Sequence, residues 1–371
     1  MTIPLFKPSC TDAEVAAVTR VLRSGWWGMG AEVEAFEEEF ASYVGKHHAI
    51  AVNSGTAALE LAARALCPES RTFIVPALTF VSSAMALQHA GHKVVFADIH
   101  EDTLTINWSH AEQLAEEIYL ETGKHAGVLP VWYGGTVTNV PWGFTQNRVL
   151  EDCAHAAGSQ RAGLYGHAAA WSFHAVKNLA TGDGGMITTN DPVVAKDLRR
   201  LRWLGIDRST WDRDKDARVG YGWDYNITQD GEKAHMNDLT AALGRVQLKR
   251  LNEMNAVRFG IADIYNDQLY YLNHTWIDLP PLNPAGSNHL YVVRVSEKVR
   301  PRFIEHMISN GVSAGVHYKP LTEYPDLFDW CSPRLPVTDR VWKTLVTLPL
   351  YPDMELWEAL KVANTVRSFK P

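Results

Sequence analysis

The chain has 371 residues, 46% of them hydrophobic and 21% charged, with 35 basic against 42 acidic side chains and a formal charge of −7. That balance excludes a globally basic nucleic-acid binder and leaves only local basic pockets to hold an anionic ligand. No apolar run of roughly 18 residues or more occurs, which excludes a membrane-spanning helix, and the length suits one large domain beside a smaller one. The opening Met1–Lys7 has no apolar signal core, so export is not expected. Cys10, Cys67, Cys153 and Cys331 are scattered without a CxxC pair. They read as reduced thiols of a cytoplasmic protein, with no metal site.

Apolar residues at helical spacing mark Thr11–Leu22, which Thr11-Asp12 opens with a capping residue, and Ala31–Tyr43. Short apolar runs follow at His48–Asn53, Thr72–Val75, Lys93–Ala97, Gly127–Trp132, Arg148–Glu151, Ala169–Phe173 and Gly185–Thr189. Helical stretches separate several of them, at Thr56–Ala65, Val81–His89 and Ala111–Glu121. This alternation predicts a mainly parallel sheet covered on both faces, with ligands bound outside the carboxyl ends of its strands. Trp211–Glu232 then shows no period and reads as a long functional loop, about 209–232. His235–Leu251 reads as a helix through Met236, Leu239, Leu243, Val246 and Leu251. A strand at Leu290–Val295 and helices at Pro301–Asn310 and Leu356–Phe369 complete a small α+β region. The expected division is a large domain over residues 1–250 and a small one over 251–371.

The sequence has no GxGxxG after a strand, no GxxxxGK[ST], no GxSxG and no HExxH, so nicotinamide, P-loop, hydrolase and zincin chemistries lack their motifs. What remains is a set of small polar segments, each at the predicted end of a strand. Asn53-Ser54-Gly55-Thr56-Ala57-Ala58 opens a helix whose free N–H groups suit a phosphate. As a bare pattern it reads equally well as an ordinary helix cap. Glu151-Asp152 sets a carboxylate at the sheet edge, and Lys177 follows the next strand. A desolvated lysine there has a lowered pKa and becomes nucleophilic. Phosphate seat, carboxylate and amine are together what pyridoxal phosphate requires.

At these segments the chain resembles the fold-type I, pyridoxal-phosphate-dependent sugar aminotransferases of the DegT/StrS type, nearly end to end. Ser24-Gly25-Trp26-Trp27-Gly28 with Val33-Glu34-Ala35-Phe36-Glu37 resembles the family opening. Ser54-Gly55-Thr56-Ala57-Ala58-Leu59 is similar to its SGTAAL, and Pro76–Val81 to its segment carrying a TFV. Glu151-Asp152-Cys153-Ala154-His155-Ala156 resembles EDAAHA, and Ser172-Phe173-His174 to Lys177 with Gly182-Asp183-Gly184-Gly185 resembles SFH..K and GEGG. Val316–Leu321 and Leu348-Pro349-Leu350 are similar to late family motifs.

The resemblance implies a mainly parallel seven-stranded sheet domain with a smaller C-terminal α+β domain. It implies that Lys177 forms the Schiff base with the cofactor aldehyde and that Asp152 pairs with the pyridine nitrogen. Phe80 is then expected to stack on the ring, with His155 close beside it. Gly55, Thr56 and Ala57 amides and the Ser172 hydroxyl are expected to hold the phosphate. The implied reaction moves an amino group from glutamate to a keto deoxysugar, most naturally one linked to a nucleotide, in a homodimer with shared active sites. A related sugar dehydratase carries histidine at the lysine position, which Lys177 contradicts; a non-catalytic binding protein on the same fold is the other alternative. Three positions depart from the family pattern. Gly231-Glu232-Lys233-Ala234-His235-Met236 replaces GYNxRM, so Lys233 stands in for an asparagine that reaches the partner's cofactor phosphate; Asp183 stands for Glu; and Trp132 stands for a histidine on the sugar side of the pocket. Trp211, Tyr221, Trp223 and Tyr225 are expected interface anchors.

Overall fold

The computed structural model describes residues 2–145, 149–216, 224–328 and 334–371. Two helices come first: α1 (Asp12–Ser24) and α2 (Ala31–Val44). Thr11 and Glu14 form a reciprocal capping box at the head of α1, satisfying donors that the first turn would otherwise leave bare. Strands β1 (His48–Val52), β2 (Thr72–Pro76), β3 (Lys93–Ala97), β4 (Gly127–Val128), β5 (Leu150–Asp152), β6 (Ala168–Ser172) and β7 (Gly185–Thr189) follow. Between and after them run α3 (Gly55–Leu66), α4 (Ser82–His89), α5 (Trp108–Thr122), α6 (Trp142–Thr145), α7 (Pro192–Leu201), α8 (Thr210–Asp216) and α9 (Asp238–Leu269).

Strands pair in the order β3-β2-β4 and β5-β6-β7-β1, and bridges Val128–Val149 and Val131–Asp152 join the two groups into one seven-stranded sheet. Only β7 runs antiparallel to its neighbours, so the sheet is mainly parallel, as expected. Period-two alternation sorts its residues. Ala49, Ala51, Ala169 and Trp171 face a core with α2, α5 and α9, whereas Ile50, Val52, Ala168 and Ala170 face α3, α4 and α7. The run expected at Gly127–Trp132 is cut to two residues because Pro130 has no N–H to donate; pairing resumes where Asp152 N–H donates to the Pro130 carbonyl at 2.9 Å. Arg148, the expected start of the fifth strand, lies outside the described residues, and the strand begins at Leu150.

The helix expected at His235–Leu251 begins instead at Asp238, capped by Asn237, and runs 32 residues to Leu269. Its first half lies in the sheet's core through Ala241, Leu248 and Leu251, and its second half enters another cluster through Ile261, Tyr265 and Leu269. The expected division at 250/251 therefore falls inside this helix. The second cluster is built on β8 (Ile277–Asp278), β9 (Tyr291–Val295), α10 (Arg300–Ser309), β10 (Leu345–Leu348) and α12 (Leu356–Ser368), with α11 (Pro336–Val341) beside it. Ile3, from the far end of the chain, also packs there. Within the expected 209–232 loop, α8 and an Ile206–Ile227 bridge give local order; Tyr221 and Trp223 lie outside the described residues. Trp211 packs on Trp26 of its own chain at 4.9 Å, and Tyr225 lies under the Arg213 guanidinium at 4.8 Å.

Candidate active site

The ends of β1, β5 and β6 converge on one cleft side. Ser54 caps α3, its Oγ accepting the Ala57 N–H at 3.0 Å. The N–H groups of Gly55 and Thr56 have no acceptor among the described residues. Gly55 is required here, because a Cβ would sit 2.7 Å from the Ser172 Cβ at the end of β6. Gly185 has the same need opposite Ser54, whose carbonyl oxygen lies 2.4 Å from where its Cβ would be. Three segments thus meet closely where the Gly55 and Thr56 amides and the Ser172 hydroxyl lie. The Thr56 hydroxyl donates to Ser82 Oγ at 2.9 Å, tying this corner to the head of α4.

Asp152 ends β5 and is 4% exposed. Ser83 Oγ donates to its Oδ2 at 2.7 Å and Ala154 N–H to its Oδ1 at 3.0 Å. Since the Ser83 hydrogen is committed, Thr79 Oγ1, 2.7 Å from Ser83 Oγ, is the donor of that pair. Burial pushes the Asp152 carboxyl up, opposed by Ser83, by Ala154 and by the Lys177 charge. Lys177 sits in the turn after β6, its N–H donating to the His174 carbonyl at 2.8 Å. Burial lowers its amine from the ordinary 10.5 to about 8 against the pull of Asp152. No ion pair joins the two among the described residues, so Asp152 keeps lone pairs for a further donor.

His155 is buried, its ring 4.3 Å from that of His289 and 6.1 Å from that of Tyr318. Phe80 is 54% exposed, 5.9 Å from the Tyr318 ring, and so presents a bare aromatic face. The expected residues Gly55, Thr56, Ala57, Ser172, Asp152, Lys177, His155 and Phe80 thus gather at one side of the sheet. Lys233 does not join them within this chain. It is exposed, pairs with Trp203 through the backbone, and holds its Nζ 6.0 Å from that indole. Trp132, expected beside the substrate, is fully buried in the core and donates its Nε1–H to Glu151 at 2.8 Å. Asp183 is exposed in its turn. Sequence reasoning missed Thr79, Ser83, His289, His317 and Tyr318. Thr79 and Ser83 carried a signal, the first directly before Phe80 and the second one helical turn further on; His289, His317 and Tyr318 come from segments far away in sequence, the last two inside the Val316–Leu321 motif.

The parts fit pyridoxal phosphate: a buried carboxylate with spare lone pairs, a desolvated amine facing it, and unclaimed N–H groups at a helix head. Among the described residues no group of His, Cys, Asp or Glu is arranged to hold a metal ion, and no helix is long and apolar enough to cross a membrane.

The DegT/DnrJ/EryC1/StrS aminotransferase family matches residues 8–367. The spore coat polysaccharide biosynthesis protein SpsC of Bacillus subtilis is 36% identical over 98% of this chain and 96% of its own. Helicobacter pylori PseC, an aminotransferase involved in the biosynthesis of pseudoaminic acid, superposes with a TM-score of 0.89 at 25% identity, covering 99% of this chain and 98% of its own. The PLP-form of Spr1654 from Streptococcus pneumoniae superposes with a TM-score of 0.85 at 28% identity, covering 99% and 98%. With these matches spanning the whole site, the chain belongs to the DegT/DnrJ/EryC1/StrS family and is a pyridoxal-phosphate-dependent aminotransferase.

Proposed function

We propose that the enzyme moves the amino group of glutamate to a keto deoxysugar carried on a nucleotide, and that it works in the cytoplasm as a homodimer whose active sites are completed across the interface. The observation that carries the chemistry is the Lys177 amine, held near 8 by burial and set against Asp152. The names of SpsC and PseC, which tie them to polysaccharide and pseudoaminic acid biosynthesis, support a sugar as acceptor. Cys10 and Cys153 form no disulfide among the described residues, which suits a reducing compartment.

Bound pyridoxal phosphate supplies an aldehyde that takes up the amino group and a ring that accommodates the electron pair left when Cα loses its proton. Asp152 accepts the hydrogen of the ring nitrogen and keeps that nitrogen protonated. Its burial makes a cationic partner valuable, because an unpaired buried carboxylate is costly. The Gly55 and Thr56 N–H groups and the Ser172 hydroxyl hold the phosphate, helped by the positive end of α3. Phe80 would offer its exposed aromatic ring to the cofactor, with His155 among the residues around it. Lys177 would hold the cofactor aldehyde through its amine and, when that amine is free, would take up the proton of the donor Cα. With its pKa near 8, about a tenth of the amine is neutral at pH 7, some 300-fold more than an ordinary lysine offers.

Lys233 is the residue we assign to the partner's cofactor phosphate, where its charge replaces a hydrogen bond from asparagine. The reaction is tested with the cofactor-loaded protein, glutamate and a panel of keto nucleotide-sugars. The expected result is 2-oxoglutarate release that depends on one of those sugars; release with none of them while simple keto acids are aminated would overturn the sugar assignment. Shared sites are tested by mixing inactive Lys177→Ala and Lys233→Glu chains under subunit exchange. Recovered activity is expected, and no recovery despite demonstrated exchange refutes the assignment of Lys233.

A further inference from the structure

Both ring nitrogens of His155 are engaged. Nδ1 lies 3.3 Å from the Gly134 N–H, and Nε2 lies 3.0 Å from the Tyr318 hydroxyl. A backbone N–H only donates, so Nδ1 is the acceptor and carries no proton. Burial, with the nearby charge of Lys177, holds the imidazole well below its ordinary value, so the ring is neutral and its one proton sits on Nε2. Nε2–H therefore donates to Tyr318 Oη, and the hydroxyl hydrogen of Tyr318 must find its acceptor elsewhere. None exists among the described residues. A buried donor left unmade costs free energy, which makes such a hydrogen a candidate ligand contact.

The surroundings keep this arrangement from relaxing. His289 packs on His155 and is itself fixed, because the Asn178 amide donates to Asn255 Oδ1 and the Ser287 carbonyl, both at 2.7 Å. Asn178 Oδ1 is thereby the acceptor of His289 Nδ1–H at 2.8 Å. Tyr133, whose ring lies 6.4 Å from that of Tyr318, spends its hydroxyl hydrogen on the His317 carbonyl and does not compete. Tyr318 stays protonated, since burial and then the Asp152 charge raise its pKa. It also adjoins Phe80, the bare aromatic face of the site.

We propose that Tyr318 donates a hydrogen bond to an oxygen that only accepts, either the carbonyl oxygen of the keto substrate or the ring oxygen of pyridoxal phosphate, and that His155 is the positioning residue that enforces this direction. The assignment rests on the aminotransferase reading of the site. Tyr318→Phe removes the hydroxyl and keeps the ring. If the oxygen is the cofactor's, the pH midpoint of the visible absorbance of the loaded protein moves by about one unit, with no substrate present. If it is the substrate's, that midpoint stays, and KM for the keto acceptor rises about tenfold while KM for the amino donor does not change. A variant with an unmoved midpoint and an unchanged acceptor KM overturns the proposal. The tautomer is read separately by ¹⁵N NMR of the labelled cofactor-free protein, which is expected to show His155 unprotonated at Nδ1 and protonated at Nε2; the opposite tautomer overturns it. The absorbance and NMR arms need no substrate, so a failed sugar panel and a failed assignment of Tyr318 are told apart.

Discussion

Glu151 and Asp152 are neighbours on β5, and the pleat sends their side chains to opposite faces of the sheet. On one face Glu151 accepts from Trp132 Nε1 at 2.8 Å, Gly163 N–H at 2.9 Å, Tyr165 N–H at 2.8 Å and Gly166 N–H at 2.6 Å. These bonds pin the 163–166 turn to the strand, and the carboxylate has no capacity left for a ligand. On the other face Asp152 accepts one hydrogen bond per oxygen and faces the Lys177 charge. Burial raises both carboxyls. The difference lies in saturation: a buried carboxylate whose lone pairs are all claimed serves the fold, and one left short of donors is available to a cation. The comparison also shows why Trp132 belongs to the fold. It sits on the Glu151 face.

The largest effect that would sharpen this contrast is expected at the functional face. Lys177→Ala should lower turnover by roughly 10⁴-fold or more, because the described site offers no second amine to move the Cα proton. The variant should still bind the cofactor phosphate, measured by equilibrium dialysis; turnover close to wild type would remove Lys177 from the mechanism.

Asp152→Ala comes next. Without the negative charge the ring nitrogen loses its proton, and turnover should fall roughly 10²–10³-fold. The melting temperature of the cofactor-free protein should hold within about 2 °C, since the lost carboxylate was itself costly to bury. A large loss of cofactor-free stability would place Asp152 in the same structural class as Glu151 and break the comparison.

Glu151→Ala should behave in the opposite way. Four donors lose their acceptor, three of them backbone N–H groups, and the cost is about 3 kcal/mol of stability, read as a lower urea midpoint. Activity per folded molecule should be retained. If activity collapsed while the midpoint held, the two faces would have to exchange roles.

The smallest effect is in pH. Below about 8 the neutral fraction of Lys177 grows tenfold per pH unit, and above that it levels off. The rate of cofactor incorporation into cofactor-free protein should follow this curve, rising about tenfold from pH 6 to 7 and flattening beyond 8. A rate still climbing steeply toward pH 10 would mean that burial does not lower this amine.

Local residue pattern determined much of this molecule. Apolar runs of strand length alternating with helical periodicity specify a covered, mainly parallel sheet. The small polar segments that end those runs carry the helix-head amides, the carboxylate and the amine on which the proposed cofactor site rests, because each segment is contiguous and its chemistry is local. Element ends were less legible. Pro130 shortened β4, and Asn237 moved the start of α9 to Asp238, whose carboxylate accepts the Gly30 and Val33 N–H groups and fastens α2. Tertiary structure alone decided which face each carboxylate of β5 serves, that Trp132 is core, and that Lys233 stands apart from the other site residues of its own chain. It also brought Tyr318 and His289 onto His155 from segments more than 130 residues further along the chain. No spacing rule encodes such pairs, since they arise only when the C-terminal strands and the sheet pack together. The direction of the His155–Tyr318 hydrogen bond depends in turn on a single backbone N–H of Gly134, which a sequence of side chains does not display.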